Sequence, residues 1–349
     1  MAAGTPVDAG LNSIVHGRDL FDKSAIVALD DRIKKVAELA PSKYFDVANF
    51  YRQTQGKLFG LPMYQDSSLI AVNSRLLRDG GLDPKAADLK TWDDLVRYAE
   101  RLTKRDTGKI TQVGFPFNRP GLEELATYSY GNGAELHDAE VTKPLFNTPP
   151  NATRMADMLR FRAANYQRFR VGWDDSMTGD LWATGKAAMT YSGWGSLIRI
   201  MAGTYVPKDF EYWFIPNPKG PNGNVMGATT WVNMVVLPKG GKEQDLAFEL
   251  AHLAGSPQSH TKMFQLVGHH PSFKDFYQTK DFDDGVKNYP VHTLAPQLAA
   301  NSKSYPFFRR YNDVNQQVAP LFGDAVEGKR DHQQALAEAE RLTKQILTS

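Results

Sequence analysis

The sequence predicts an α/β fold organised as two domains. Its 349 residues are enough for two domains of ordinary size. The apolar, β-branched run at 69–72 is typical of a buried strand. Further along the chain, Thr91 and Asp94 have the spacing of a capping box, which predicts the start of a helix. That helix carries an apolar face formed by Trp92, Leu95, Val96, Ala99 and Leu102.

Composition excludes several classes of protein. The net charge of +2 provides no strong basic field for nucleic acid. No uninterrupted apolar run approaches the roughly 20 residues that span a bilayer. Because the chain has no cysteine, it has neither disulfides nor thiolate metal sites. Aromatic residues make up 11% of the chain, which suits either core packing or a carbohydrate site, where sugar rings stack on aromatic faces.

Several stretches in a fixed order carry the most specific signal. Residues 60–104 contain Gly-Leu-Pro-Met-Tyr, then Leu-Ile-Ala-Val-Asn, then Lys-Thr-Trp-Asp-Asp-Leu. Residues 174–194 contain Gly-Lys-Ala-Ala-Met and end in tryptophan, and residues 227–242 begin Gly-Ala-Thr-Thr-Trp. The Glu-Gly-Lys at 327–329 closes the series. In this order they resemble the maltose-binding-protein-like family, the extracytoplasmic solute-binding proteins of carbohydrate ABC importers.

The resemblance implies a two-lobed periplasmic-binding-protein fold of type II, in which each lobe is a sheet flanked by helices and crossover segments form the hinge. It assigns residues 1–65 and 233–284 to the first lobe, and 66–232 and 285–349 to the second. The implied function is to bind a mono- to oligosaccharide in the cleft between the lobes and to deliver it to the membrane permease subunits. We therefore expect a monomeric, extracytoplasmic protein without catalytic activity, cofactor, metal or nucleic-acid partner.

The start of the chain departs from the family pattern. Residues 1–8 resemble a segment that family members reach only after a strand, a helix and a second strand. By that analogy about 60 residues are expected to be absent ahead of Met1, and residues 1–8 show none of the features of a signal peptide. A misplaced start, a cloning boundary and a true truncation are equally compatible with this pattern.

Asp66 is the leading candidate for a ligand contact. Aligned through Asn73, it falls where sugar-binding relatives place an acidic residue that binds hydroxyl groups. A carboxylate can accept hydrogen bonds from two neighbouring hydroxyls, and such charge-assisted bonds are the stronger kind. The alternative is an N-cap or hinge aspartate bonded to backbone. Tyr64 and Gln65 are expected to contribute beside it.

Two tryptophans are candidates for stacking platforms. Trp194 follows a strand predicted over 187–192, at a position where relatives carry a stacking aromatic. Trp231 precedes a strand predicted over 232–237, in the second crossover. Core packing is the alternative for both. Gly227 is expected to let a ligand approach the backbone closely, because it has no side chain.

The remaining candidates for ligand contacts lie at or near the ends of predicted strands and helices. Asn12 and Ser13 close a strand predicted over 9–13, and Arg309 and Tyr311 lie in a segment that returns to the cleft in relatives. Turn or surface roles are the alternatives. Arg119, in the loop after a strand predicted over 113–117, is a further candidate donor.

Three functions compete on sequence alone. A saccharide-binding protein comes first. A binding protein for a phosphorylated or acidic polyol, such as glycerol-3-phosphate, would use Arg309 or Arg119 for bidentate contact. A glycoside hydrolase would need two carboxylates roughly 5–10 Å apart, and Asp66 has no evident partner. The adjacent His269 and His270 do not predict a metal site, because neighbouring side chains point poorly at one ion.

Overall fold

The computed structural model describes residues 7–224, 229–305 and 308–349, without the side chains of residues 12–15 and 53. It divides the chain into two compact units. Unit 1 comprises Met1–Ser67 and Thr230–Tyr311, and unit 2 comprises Ser68–Thr229 and Asn312–Ser349. No helix in the described ranges combines the length and the apolar character that crossing a membrane requires.

The two longest strands, β4 (Leu61–Asn73) with 13 residues and β9 (Thr229–Val236) with eight, are the ones that pass between the units. In chain order they are β1 (Gly10–Ser13), β2 (Gln53–Thr54), β3 (Lys57–Leu58), β4 (Leu61–Asn73), β5 (Lys104–Asp106), β6 (Lys109–Gln112), β7 (Met189–Gly193), β8 (Tyr212–Ile215), β9 (Thr229–Val236) and β10 (Lys303–Ser304).

Helices make up most of the regular structure. In chain order they are α1 (Ile14–Asp22), α2 (Asp30–Ile33), α3 (Asp46–Tyr51), α4 (Ser74–Asp79), α5 (Trp92–Leu102), α6 (Leu122–Gly131), α7 (Asn151–Arg170), α8 (Trp194–Met201), α9 (Gln244–Ala254), α10 (Pro257–Val267), α11 (Lys280–Asn288), α12 (Ala295–Asn301), α13 (Tyr311–Val326) and α14 (His332–Thr348). Short 3-10 turns occupy Ala37–Leu39, Pro41–Lys43, Lys274–Gln278 and Pro290–Leu294.

In unit 1 an antiparallel sheet carries the candidate site. Strand β9 lies between β1 and the first half of β4, and β10 also pairs with β9. The register sets Asn233 opposite both Ser13 and Tyr64, and it sets Trp231 opposite Asp66. The apolar core of this unit includes Leu29, Leu39, Leu61, Leu237 and Phe248.

In unit 2 the second half of β4 pairs antiparallel with β7 and β8. Helix α5 begins at the predicted capping box, in which the Thr91 hydroxyl accepts from the Asp94 N–H and the Asp94 carboxylate accepts from the Thr91 N–H. This reciprocal bonding satisfies two N–H groups that the first helical turn leaves without partners. The cap therefore determines where α5 starts.

The strand predicted over 113–117 is wrong. Val113 makes only an isolated parallel bridge with Ala187. The chain then reaches Pro116, which has no N–H to donate to a ladder, so pairing cannot continue. Phe115 and Phe117 are nonetheless buried, which explains why the apolar pattern suggested a strand.

The unit boundaries differ from the predicted lobes. The first crossover falls after Ser67 and the second before Thr230, and residues 285–311 belong to unit 1, although the sequence placed them in the second lobe. Helix α11 packs against its own unit through Phe282, whose ring lies 6.0 Å from that of Phe264 on α10. His292 also contacts Phe264, with ring centroids 4.6 Å apart. These contacts hold this segment to unit 1.

Candidate functional site

The strongest candidate for a ligand contact is the carboxylate of Asp66, on β4 in unit 1. Its side chain is only 2% exposed. One oxygen, Oδ2, accepts a hydrogen bond from His269 Nδ1 at 2.9 Å. The other, Oδ1, has no hydrogen-bond partner among the described residues. Because an unsatisfied buried acceptor costs about 1–3 kcal/mol, Oδ1 is the kind of atom that a bound molecule would satisfy.

The pleat of β4 decides what surrounds Asp66. Successive strand residues point to opposite faces, so Tyr64 and Asp66 share one face while Gln65 lies on the other. Directly opposite residues on paired strands also share a face, which brings Trp231 beside Asp66. The site face of unit 1 therefore carries an acid between two aromatic side chains.

His269 completes this face, and sequence reasoning missed its role. Helix α10 ends at Gly268, whose backbone is left-handed with φ 83°, and whose N–H donates to Met263 and Phe264 carbonyls. The next residues return to β4, where the Gln65 N–H donates to the His270 carbonyl at 2.8 Å. His269 is thereby held with its ring stacked on Tyr64, with centroids 3.7 Å apart and planes at 21°. The Gly-His-His-Pro motif was the available signal, but it was considered only for metal.

Trp231 has an aromatic neighbour of its own. Its half-buried indole stacks on Tyr305, with centroids 6.1 Å apart and planes at 21°. The Tyr51 hydroxyl donates to the Thr230 carbonyl at 2.6 Å and accepts from the Tyr305 N–H at 2.8 Å, which ties the two backbones together. Trp231 is thus a partly exposed ring on a well-supported strand. Neither Tyr51 nor Tyr305 was singled out in the sequence.

Trp194 lies in different surroundings. It opens α8 directly after β7 in unit 2, and its side chain is fully buried at 0% exposure. Its ring lies 6.1 Å from that of Phe214, which is also buried. This placement agrees with the packing alternative that the sequence left open. Its role as a ligand platform stays a prediction.

Gln65 is buried on the face opposite to Asp66. On that face Gln65 forms a hydrogen bond with the hydroxyl of Tyr277. Burial and the charge of Asp66 raise the pKa of this hydroxyl, and the hydrogen bond with Gln65 opposes the rise. The Gln65 side-chain carbonyl has no hydrogen-bond partner in the described part of the chain. A ligand touching Asp66 would therefore reach Gln65 only from the other side of β4, and a direct contact with Gln65 stays a prediction.

The other predicted contacts are spread over three places. Asn12 and Ser13 have their backbone in β1, but their side chains lie outside the described part of the structure, as does the whole of Gly227. Tyr311 is half-buried at the start of α13. Arg309 is exposed, and its Nε lies 2.9 Å from Asp22 Oδ2, a carboxylate that is only 6% exposed.

Both arginines that the sequence offered for an anionic ligand are paired with acids. In unit 1, Arg309 pairs with Asp22. In unit 2, Arg119 lies 3.0 Å from carboxylate oxygens of both Asp324 and Glu327, and it also donates to the Pro320 carbonyl. A ligand phosphate or carboxylate would have to displace these partners. This geometry disfavours the acidic-polyol alternative.

A group of buried histidines lies behind the site in unit 1. Nitrogens of His270 and His292 are 2.9 Å apart, and His260 lies between the Pro62 carbonyl and the Ser272 N–H at 2.8 and 3.2 Å. Burial lowers the pKa of His260 and of His292 to about 4. These side chains are therefore neutral at pH 7 and serve as hydrogen-bonding core residues. No cluster of three or more metal-ligating side chains occurs in the ranges that the structure describes.

Known proteins resemble the chain along most of its length. Residues 2–290 match the family described as bacterial extracellular solute-binding protein. CpMnBP1 with mannotriose bound is 24% identical, has a TM-score of 0.79, and matches over 98% of this chain and 86% of its own. The same protein with mannobiose bound is 25% identical, with a TM-score of 0.75 and coverages of 98% and 85%. The sugar-binding protein MalE from Xanthomonas citri is 18% identical, with a TM-score of 0.79 and coverages of 99% and 85%.

Proposed function

We propose that this chain, which belongs to the family of bacterial extracellular solute-binding proteins, binds a small neutral carbohydrate through Asp66 and Trp231. The protein would act outside the cytoplasm and deliver the carbohydrate to the permease subunits of an ABC importer. The observation that carries the proposal is the unpartnered buried oxygen of Asp66 beside a half-buried indole on the same face of unit 1.

The chemistry of this face suits a sugar. Asp66 Oδ1 can accept a hydroxyl hydrogen in a charge-assisted bond, and burial strengthens that bond because little water competes for it. The Trp231 ring can cover the C–H face of a sugar ring. A sugar presents both kinds of surface at once, whereas an apolar ligand would leave the carboxylate unsatisfied.

Charge favours a neutral ligand over an anionic one. An anion close to Asp66 would meet a like charge. Arg309, which the sequence offered for an anionic ligand, is engaged by Asp22. The relatives support the same class of ligand. CpMnBP1 was solved with mannobiose and with mannotriose, and MalE from Xanthomonas citri is described as a sugar-binding protein. These relatives suggest a mono- to oligosaccharide.

Glycoside hydrolysis is less well supported than binding. A hydrolase needs two carboxylates roughly 5–10 Å apart across the bond that it cleaves. Asp66 is the only acidic residue in the sequences of β4 and β9. One of its oxygens is already held by His269. A single carboxylate held in this way can bind a hydroxyl but offers no acid–base pair.

A ligand panel tests the proposal. Calorimetry and thermal unfolding with mannose, mannobiose, mannotriose, maltose, D-mannitol and glycerol-3-phosphate should reveal at least one neutral sugar or polyol that binds and raises the melting temperature. Asp66→Asn should then weaken that binding about 10- to 100-fold, since hydrogen bonds to a charged group contribute about 1.5–3 kcal/mol.

The matched control is Asp31→Asn, which removes an exposed acid from the same unit and should leave affinity unchanged. Binding of glycerol-3-phosphate without binding of any neutral member would overturn the carbohydrate assignment. Release of shorter sugars from mannotriose or maltose would instead establish a hydrolase. Equal affinities for wild type and Asp66→Asn would remove Asp66 from the site.

A further inference from the structure

We infer that His269 is a positioning residue, which fixes the Asp66 carboxylate so that Oδ1 faces the ligand. This inference rests on the proposed function and extends it to a residue outside the expected sugar contacts. Nδ1 of His269 lies 2.9 Å from Oδ2 of Asp66. Because an ionised carboxylate only accepts hydrogen bonds, Nδ1 carries the hydrogen. That bond occupies one oxygen of the acid and leaves the other without a hydrogen-bond partner in the described part of the chain.

The imidazole is itself held in place from two directions. Its ring stacks on Tyr64 at 3.7 Å, which sets the plane of the ring. Its backbone is fixed between the left-handed Gly268 and the bridge that His270 makes with Gln65. The His269 side chain is 16% exposed, so it lies at the edge of the packed interior. A ring so constrained, with one donor directed at a functional carboxylate, orients that carboxylate before the ligand arrives.

Preorganisation of this kind has an energetic consequence. A free aspartate side chain samples several rotamers, and a ligand that must select one of them pays for the lost freedom. When His269 holds Oδ2, that cost is met during folding rather than during binding. The affinity for sugar should therefore depend on the Nδ1 donor as well as on Asp66.

This arrangement changes the role expected for Tyr64, which the sequence predicted to contribute to the ligand contact beside Asp66. One face of the Tyr64 ring is covered by the His269 imidazole. Burial and the charge of Asp66 raise the pKa of the Tyr64 hydroxyl, which stays protonated and able to donate. Tyr64 thus supports the histidine with its ring and leaves the stacking of sugar to Trp231.

Two substitutions separate the donor from the ring. His269→Phe keeps a planar ring for Tyr64 but removes the donor, while His269→Asn keeps a donor near the position of Nδ1. We expect His269→Phe to weaken binding of the sugar found in the ligand panel by about tenfold or more, the effect of losing a charge-assisted bond. His269→Asn should stay within about threefold of wild type, because it restores the bond. His252→Phe, at a histidine paired with Glu38 elsewhere in unit 1, is the control and should bind normally.

A spectroscopic signature reads the same bond without any sugar. In long-range nitrogen–proton spectra of the ligand-free protein, His269 should show the Nδ1–H tautomer, and Asp66→Asn should change its ring-nitrogen shifts. If the wild-type protein binds no sugar, the proposed function is overturned while the Nδ1–H signal can still be observed. Failure of the proposed function can therefore be distinguished from failure of this inference. The inference is overturned if the Nδ1–H tautomer is absent, if His269→Phe binds as wild type does, or if the Phe and Asn variants lose affinity equally.

Discussion

Two little-exposed acids, Glu124 in unit 2 and Asp66 in unit 1, have different partners. In unit 2, Glu124 lies 2.7 Å from Arg162, a guanidinium that is 1% exposed and also donates to the Asn118 carbonyl at 2.7 Å. In unit 1, the one hydrogen-bond partner that the described residues provide for the Asp66 carboxylate is the imidazole of His269. An arginine is permanently charged and offers five donors, whereas this histidine offers one. The first pair sets two opposite charges side by side, and the second leaves one buried carboxylate oxygen without a hydrogen-bond partner among the described residues.

The environment of Glu124 explains its structural role. Burial raises the pKa of Glu124, and the charge of Arg162 opposes that rise. The guanidinium also lies over the rings of Phe117 and Tyr128, 5.6 and 5.0 Å from their centroids. Both rings are buried. The comparison therefore teaches that a buried acid is a site candidate when its partners leave part of it unsatisfied, not simply because it is buried.

The largest effect should come from breaking the pair in unit 2. Arg162→Met leaves Glu124 buried without its cation, which typically costs about 3–5 kcal/mol. Urea denaturation should show this loss, while the sugar affinity of the folded fraction stays unchanged. Arg160→Met, at an exposed arginine on the same helix, should alter the free energy of unfolding by no more than about 0.5 kcal/mol. A normal stability for Arg162→Met would remove the distinction between the two acids.

The next largest effect is a loss of stability at acidic pH, which arises from the neutral histidines of unit 1. His260 has a pKa of about 4 in the folded chain, against 6.5 when unperturbed. The unfolded chain therefore binds the proton first as the pH falls, and stability is lost between pH 6.5 and about 4. Each such histidine contributes a slope of about 1.4 kcal/mol per pH unit in that window, or about 3 kcal/mol across it for His260.

Urea denaturation at pH 7, 5.5 and 4.5 measures this slope, and proton NMR follows the titration of His260 directly. His16→Asn, at an exposed histidine, is the control for the effect of the substitution itself. A stability that is flat from pH 7 to 4.5 would contradict the neutral, buried state of these histidines.

The smallest effect, a loss of sugar affinity, distinguishes Trp231 from Trp194. Trp231→Ala should weaken sugar binding by about tenfold, equivalent to about 1.4 kcal/mol, because it removes the stacking surface. Trp213→Ala, at another half-buried tryptophan, should not affect affinity. Trp194→Phe then tests the remaining prediction. Reduced stability with normal affinity indicates packing, and reduced affinity with normal stability indicates a ligand platform.

Local signals in the sequence were enough to predict much of the fold. The capping box at Thr91 was predicted because its bonds form within four consecutive residues. Helix α10 shows the same locality, since Pro257 stands in its first turn and the left-handed Gly268 follows its last residue. The strand predicted over 113–117 failed because its apolar residues are buried by other elements without the ladder that Pro116 interrupts.

The site was predictable only in part, for a physical reason. Asp66 and Trp231 stood out through their residue type and their place in a family pattern. His269 is 203 residues from Asp66, and its hydrogen bond depends on how α10 ends and returns to β4. A sequence shows two adjacent histidines but not which nitrogen meets which carboxylate. Likewise, the exposure of Trp231 and the burial of Trp194 are decided by packing that neither local pattern encodes.

A crystal structure with the best sugar of the ligand panel is the most direct test of the central claim. We predict a sugar hydroxyl oxygen about 2.7 Å from Asp66 Oδ1, with Oδ2 still bonded to His269 and a sugar ring over the Trp231 indole. A sugar bound elsewhere, with Asp66 Oδ1 contacted only by water, would contradict the account.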